Sequence, residues 1–540
     1  MQSTSLTRTK IRMKSWTVLS LGLALSLSSG CNKKGGDATT NPEAAADAAA
    51  NQAAEQKKAK ATGLVEVANG DLAKGRYHSA RKRAEEALQA NPKNADAHAI
   101  LAASYWREGE YQQSTDAYRA GLDSDPKHFG ATIGLSRNLQ AQGDHTGAIE
   151  VLDKLIATES EGFTETKCSE EDGECDVGWC EQKTKTCKAP MQVRPRINKL
   201  LSQYLMLDVE GATKTVDEIF LGIGGDENLL GVANSLASFL RPLEAKGPFV
   251  EIAGTAGSAR LGIDAALGVK FASLTVAGKS TATIFNEIQD ETRISPALAE
   301  KLSLAPIGQF KAFFAEEEQG IVVIPEIAIG ELVIKNVPAI IQDLSDYEGI
   351  GESVGLSLGR QVIHKLGTVS FNFAAQTLDV AVEAPQNPPP GSVELPLLMM
   401  DMYVSRAPVV QVNVDGGNHS FWAWFGGVYP CGVTVTAKEY LRAQHRPDDL
   451  AEPEDAERGL KMVFVDSVDL GSINVPGVGG IVLTSNPPDL GLANVVQMAS
   501  FELGGYVNMT LYKDWKVTYA LSKGRIYIDP LQAPAEPPPA

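Results

Sequence analysis

Histidine is scarce in this sequence, and the common catalytic signatures are missing. Seven His occur in 540 residues, at His78, His98, His128, His145, His364, His419 and His445, too scattered to support a metal cluster or a triad. No His-Glu-x-x-His, Gly-x-Ser-x-Gly or P-loop occurs, so zinc peptidase, nucleophile-elbow hydrolase and nucleotide hydrolase chemistry have no anchor. Positive charge is also short: 49 Lys and Arg face 67 Asp and Glu, a net charge of −18. That surface repels phosphate backbones, and no basic run interleaved with aromatics offsets it, which argues against a nucleic-acid partner. No Cys-x-x-Cys pair is present, so zinc is weakly supported. The sequence implies no cofactor and no metal.

What is there is a globular composition, 43% apolar and 21% charged, in a chain long enough for three or four domains. Residues 1–14 carry Arg8, Lys10, Arg12 and Lys14, and the apolar run 16–27 is too short for a permanent membrane span. It ends in Leu27-Ser28-Ser29-Gly30-Cys31. This resembles a bacterial lipoprotein signal, 1–30, which implies that Cys31 is acylated and becomes the N-terminus. An ordinary secretory signal with an incidental Cys is the alternative. Residues 31–60 are Ala-rich and lack apolar periodicity, as a tether would. Asn32 after the Cys resembles an outer-membrane sorting choice. The expectation is an exported, membrane-anchored protein on the periplasmic face or cell surface, with the outer membrane favoured.

Residues 61–162 repeat every 34 positions. Gly75, Gly109 and Gly143 share one repeat position, Ala68, Ala102 and Ser136 another, and Ala80, Ser114 and Ala148 a third. Pro92 and Pro126 close the first two units. This resembles three tetratricopeptide repeats, which implies a helical stack with a partner-binding surface; a bare spacer is the alternative.

The next segment, 163–190, holds Cys168, Cys175, Cys180 and Cys187. In an exported protein two disulfides are expected, with the pairing open. Cys431 is left over and reads as a buried, inert thiol. Residues 191–267 form a connecting segment with helical spacing at 197–207 and 229–243. Residues 248–263 alternate in places and could open a β region.

The stretch 276–304 reads as a Gly-turned hairpin, an apolar strand, a loop and a helix start. It resembles the active-site stretch of retropepsin-like aspartic proteases, in which Ile-Ser follows the catalytic Asp by eight residues. Ile294-Ser295 is present, but the Asp position is Asn286, in Asn286-Glu287-Ile288. A second copy is expected at a constant offset of 139, with Gly417 answering Gly278, Phe425 answering Asn286 and Val433 answering Ile294. Asn336-Val337-Pro338 is echoed by Asn474-Val475-Pro476, and Leu358-Gly359 by Leu503-Gly504. The resemblance implies two lobes, 268–383 and 398–529, joined by a Pro-rich linker 384–397 and followed by a Pro-rich tail 530–540. It also implies a cleft flanked by Glu287, Gly359, Trp424, Gly426, Gly427 and Gly504.

In that family one Asp from each lobe shares a proton and activates water. An amide at 286 and a phenyl ring at 425 cannot ionise, so no catalytic residue is assigned. Glu287, Asp290, Glu291 and Asp415 read as solvated loop charge, with relocated catalysis as the alternative. The fold expected is multidomain: an all-α tetratricopeptide-like repeat, then a mainly-β bilobal aspartic-protease-like domain. The function expected is non-catalytic binding of a protein or extended peptide at the cell envelope. A divergent aspartic endopeptidase and a structural spacer remain alternatives.

Overall fold

The computed structural model describes residues 42–161, 163, 165–167, 179–181, 184–189, 191–222, 227–264, 269–313, 315, 317–345, 354–402, 405–417, 420–427, 431–443, 445, 459–483 and 503–530. The signal, Cys31, Cys168, Cys175, His419 and the tail beyond 530 lie outside the described residues. Two units divide after Gln56, and all packing described below belongs to the second, 57–540.

Helices α1 (Pro42–Ala73), α2 (Tyr77–Ala90), α3 (Ala95–Arg107), α4 (Tyr111–Ser124), α5 (Phe129–Ala141) and α6 (His145–Ala157) form three helical hairpins. The turns inside them sit on Gly75, Gly109 and Gly143, at φ 71°, 80° and 80°. Only glycine takes that left-handed conformation without a Cβ penalty. Ala80, Ser114 and Ala148 are fully buried, which lets paired helices approach closely.

The stack then continues into the segment read as a connector. Helices α7 (Val193–Met206) and α8 (Val209–Leu221) form a fourth hairpin, followed by α9 (Glu227–Leu240). Asp208 caps α8 by accepting from Gly211 N, as Asp144 caps α6 by accepting from Gly147 N, and Ala212 is buried like Ala148. The turn residue is Leu207, at φ 52°. It follows Gly143 by 64 positions (207 − 143), one 34-residue period plus an insert of 30. Gln140 Nε2 donates to Asn198 O at 2.6 Å and to Ser202 Oγ at 2.8 Å, joining α5 to α7. The cysteine-bearing insert leaves the stack between α6 and α7. In it β1 (Trp179–Glu181) pairs antiparallel with β2 (Thr186–Lys188), with Cys180 directly opposite Cys187.

The β part is two copies of one design. The first copy has β3 (Glu251–Ala253), β4 (Ala256–Asp264), β5 (Val269–Val276), β6 (Lys279–Phe285), β7 (Thr292–Ile294), α10 (Pro296–Lys301), β8 (Gly308–Phe310), β9 (Gln319–Ile329), β10 (Leu332–Ile341), β11 (Val354–Leu358), α11 (Arg360–Ile363), β12 (Thr368–Asn372) and β13 (Thr377–Ala381). The second has β14 (Val393–Pro396), β15 (Leu398–Met402), β16 (Ser405–Val414), β17 (Phe421–Gly427), β18 (Val433–Thr436), α12 (Ala437–Arg442), β19 (Leu460–Leu470), β20 (Ile473–Leu483), β21 (Gly505–Asn508), β22 (Lys516–Ala520) and β23 (Arg525–Asp529).

Strand order is β5-β6-β11-β7-β10-β9 in one lobe and β16-β17-β21-β18-β20-β19 in the other. Pairings β5–β9 and β16–β19 close each into a barrel-like sheet. The parallel pairs match too: β6–β11 and β7–β10 answer β17–β21 and β18–β20. Between the lobes lies an antiparallel run, β4-β13-β12-β22-β23-β14, symmetric about the β12–β22 pair. Each copy thus supplies one leading strand and one closing hairpin. The leading strands fall at 256–264 and 393–396, within segments read as connector and linker. Pro396 is tolerated because β14 is an edge strand.

Register corrects the equivalences expected from sequence. The left-handed residue of β10 is Asn336, at φ 55°, and its counterpart in β20 is Gly477, at φ 65°. Asn474-Val475-Pro476 is therefore a chance echo of Asn336-Val337-Pro338. Ser295 and Thr436 are matching helix caps, accepting from Leu298 N and Glu439 N, so Ile294 answers Val435 and not Val433. Gly359 precedes α11 as Asn508 precedes the turn Met509–Tyr512, so Gly504 is not the counterpart of Gly359. Gly278 answers Gly416, the second turn residue of its hairpin, and not Gly417. The true offset drifts because loops in the two copies differ in length.

Candidate functional site

Asn286 follows β6, the strand whose last residue, Phe285, pairs with Leu358. In the second lobe Phe425 pairs with Val507. Phe425 thus answers Phe285, and Gly426 answers Asn286. The amide at 286 works as a loop cap. Its Oδ1 accepts from Ile288 N at 3.1 Å and Gln289 N at 3.2 Å, and its Nδ2 donates to Gln289 Oε1 at 3.1 Å. Phe425 is fully buried and stacks on Tyr512 with ring centroids 4.5 Å apart. The two loops do meet: a Cβ on Gly426 would stand 3.7 Å from Glu287 Oε1.

What fills this meeting point is a buried ion pair in an aromatic box. Lys270 Nζ reaches Glu287 Oε1 at 2.6 Å, with side chains 6% and 14% exposed. The ammonium lies 5.1 Å from the Phe371 ring and 5.5 Å from Tyr519, an added cation–π attraction. The phenols of Tyr512 and Tyr519 are buried beside it, with no hydrogen-bond partner among the described residues. Burial, then the charge of Glu287, pushes both hydroxyls well above the usual tyrosine range. The arrangement holds a fixed positive and a fixed negative charge side by side. It offers no pair of carboxylates to share a proton.

The other acids read as solvated are also engaged. Asp290 pairs with Arg360, a guanidinium fully inside the protein. Glu291 Oε1 accepts from Tyr204 Oη at 2.7 Å. Burial, followed by the neighbouring Asp290 charge, raises the Glu291 carboxyl above its ordinary range. Asp415 pairs with His445 at 2.5 Å. Each partner lies far off in sequence, which is why a local reading leaves these groups in solvent.

Helices lie over the first lobe beside this loop. Leu201 of α7 and Val232 and Leu236 of α9 face Gln289, Asp290 and Glu291 around a cavity of about 290 Å³. The β8–β9 hairpin closes the same space with Phe310 and Phe313, and Lys311 N donates to Ser238 Oγ of α9 at 3.0 Å.

Of the remaining residues expected at a cleft, Gly359 lies against the Asp290 and Glu291 carbonyls, where a side chain has no room. Trp424 packs on Tyr506 at 5.6 Å, and Gly504 lies under Phe421. Gly427 pairs with Asn508 in the strand register. The Cys431 thiol is buried, bonded to Asn508 Nδ2 at 3.3 Å, and raised by burial, which leaves it unreactive. Sequence reasoning missed Lys270, Arg360, Tyr204, Tyr512 and Tyr519, whose roles exist only once distant strands are paired. Among the described residues no cluster of three metal-ligating side chains occurs, and no helix is long and apolar enough to cross a membrane.

The helical turns dock directly on the second lobe. Trp422 Nε1 donates to Gly109 O at 2.9 Å, and the ring meets Tyr111 edge-on at 5.7 Å. At Gly143 a Cβ would strike the Leu521 carbonyl, and at Gly524 one would strike Gln142. His145 of α6 meets His364 edge-on at 5.0 Å.

A tetratricopeptide repeat family profile matches residues 68–129 and 104–162, so this part of the chain consists of tetratricopeptide repeats. No curated protein matches the sequence. Among solved structures, Pseudomonas aeruginosa PilF is 18% identical over 34% of this chain and 69% of its own, with a TM-score of 0.26. A thermophilic TPR protein of Thermus thermophilus is 15% identical over 33% of this chain and 81% of its own, with a TM-score of 0.24. The first TPR of RPAP3, bound to an HSP90 peptide, is 18% identical over 20% of this chain and 86% of its own, with a TM-score of 0.19.

Proposed function

We propose that this chain is a lipid-anchored bacterial envelope protein that binds a protein or peptide partner and has no protease activity. The observation that carries the reading is the meeting point of the lobes. One counterpart position is an amide spent on capping its own loop, and the other is Gly426, which has no side chain. Water activation by an aspartic dyad needs a carboxylate at both. The twofold-related strand orders and the shared six-strand run support an aspartic-protease-like origin for the scaffold. The tetratricopeptide repeats support a binding role, since such stacks present an extended surface that a single domain lacks. The leader through Cys31 supports export and acylation. The bonded state of Cys187 supports disulfide bracing of the insert.

A structural spacer is favoured by one feature, the helices α7 and α9 lying over the first lobe. Photo-crosslinking separates the two readings. A crosslinker placed at Phe129 or Phe220, exposed 37% and 45%, in the full-length protein in its own envelope should give a discrete adduct with another protein. The same purified protein should leave unfolded casein intact at acidic and neutral pH. Casein cleavage overturns the non-catalytic reading, and absence of an adduct from every exposed helical position overturns the binding one.

A further inference from the structure

Five cations of this acidic chain line a cavity where the first two repeats meet the second lobe. It measures about 720 Å³, within the range of small-ligand and peptide sites. One wall is the turn after α1 and the start of α2, carrying Arg76 and Arg81. The next turn adds Arg107, and α12 adds Lys438 and Arg442. Phe421 and Trp422 supply an apolar side, with Trp422 locked in place by its bond to Gly109 O.

The acids in the same cavity are Glu108, Glu110 and Glu439. Five cations against three anions leave two positive charges in excess (5 − 3). The whole chain carries −18. A concave site of the minority sign concentrates its field on ligands of the opposite charge. The cations are also kept apart. Arg76 is held by Asp71 at 2.9 Å, Arg81 by Glu108 at 2.8 Å, and Arg442 by Glu439 at 2.8 Å. Arg107 has no ion-pair partner among the described residues. Charges spread over separate points suit a ligand with several spaced carboxylates better than one compact anion.

We propose that this cavity binds an acidic peptide segment, its carboxylates on Arg107, Lys438 and Arg442 and an apolar side chain against Trp422. The inference rests on the binding role proposed above and names the partner's chemistry. A peptide seated there touches repeats and lobe at once. It bridges two parts that neither a repeat stack nor a β lobe offers alone, and its binding strengthens their docking.

The test uses the full-length protein and two synthetic peptides, acetyl-Glu-Leu-Glu-Glu-Asp-amide and its Gln/Asn counterpart, with inorganic phosphate as a third probe. Calorimetry and Trp fluorescence should show the acidic peptide binding at least about tenfold more tightly than the amide version, and more weakly as salt is raised. Arg107→Glu and Lys438→Glu, both on the cavity wall, should each reduce that affinity by about tenfold or more. Arg107→Gln, a milder change that keeps the helix, should lose less. Equal affinity for the two peptides, unchanged affinity in the glutamate variants while their thermal unfolding matches wild type, or saturation by phosphate alone, overturns the assignment. If crosslinking at Phe129 captures a partner while these peptides fail, the cavity assignment falls and the binding role stands.

Discussion

Lys270 and Glu287 hold the centre of the molecule because neither can leave the other there. A lone charge in that aromatic box has no solvent to turn to, so removing one partner costs far more than the pair contributes. Glu287→Gln should lower the unfolding free energy by about 3–5 kcal/mol, while Lys270→Met with Glu287→Gln should recover most of the loss. Urea unfolding of the four proteins in the cycle measures this, and a single variant as stable as wild type defeats it. The same residues show where sequence reading stops. Asn286 was legible because Ile294-Ser295 lies at a fixed short distance along the chain. Phe425 was one residue off, because the hairpin turn before it is longer than the one before Phe285, a drift that only the strand register exposes. The charges of Glu287, Asp290 and Glu291 looked solvated because Lys270, Arg360 and Tyr204 come to them from other elements.

At the scale of elements, three helical hairpins were readable because glycine marks each turn. The fourth was not, because Leu207 fills the left-handed position and the insert breaks the count. A second signal was present: Asp144-x-x-Gly147-Ala148 recurs as Asp208-x-x-Gly211-Ala212, a cap and a close-packing residue in the same frame. The duplicated lobes were legible as hairpins and helix caps. The leading strand β4 lies in the alternating stretch 248–263 and pairs with its neighbour β5 as well as with β13, whereas β14 was hidden, since it pairs with β23 more than a hundred residues later. Glycines of the stack divide accordingly. Gly143 is left-handed and pressed on the Leu521 carbonyl, so Gly143→Ala should cost about 1–3 kcal/mol. Gly63 sits in the exposed interior of α1 with open space around its Cβ position, so Gly63→Ala should add about 0.5–1 kcal/mol. Thermal unfolding of the two variants should move in opposite directions; a shared direction refutes this division.

For the whole molecule, the joint between stack and lobes is sensitive to acid. His145 lies against His364 and Ser202, with Arg406, Arg360 and Lys365 as the charged neighbours. Burial first, then those arginines, holds His145 well below its usual range and His364 down to about 4. Both rings are neutral in the folded protein. Above the free value of about 6.5 their neutrality costs nothing, so stability is full there. As pH falls from about 6.5 towards 4, the unfolded chain takes protons that the folded chain refuses, and stability declines. The slope should reach on the order of 1.4 kcal/mol per pH unit for each ring. Urea midpoints at about pH 7 and about pH 5 measure it, and His364→Gln should flatten the decline. An unchanged slope in that variant removes His364 from the account.

Repeat proteins usually evolve by gaining or losing whole units, because each touches only its neighbours. This array has no such freedom. Its second turn lands on Trp422 through Gly109, its third on Leu521 through Gly143 and on Gly524 through Gln142, and its fourth hairpin reaches Glu291 and Gln361 through Tyr204. Deleting or duplicating a unit would carry every later one past its berth. The β body therefore acts as a ruler that fixes how many units the array holds, and new length enters only where the chain leaves the stack altogether, as the cysteine loop does.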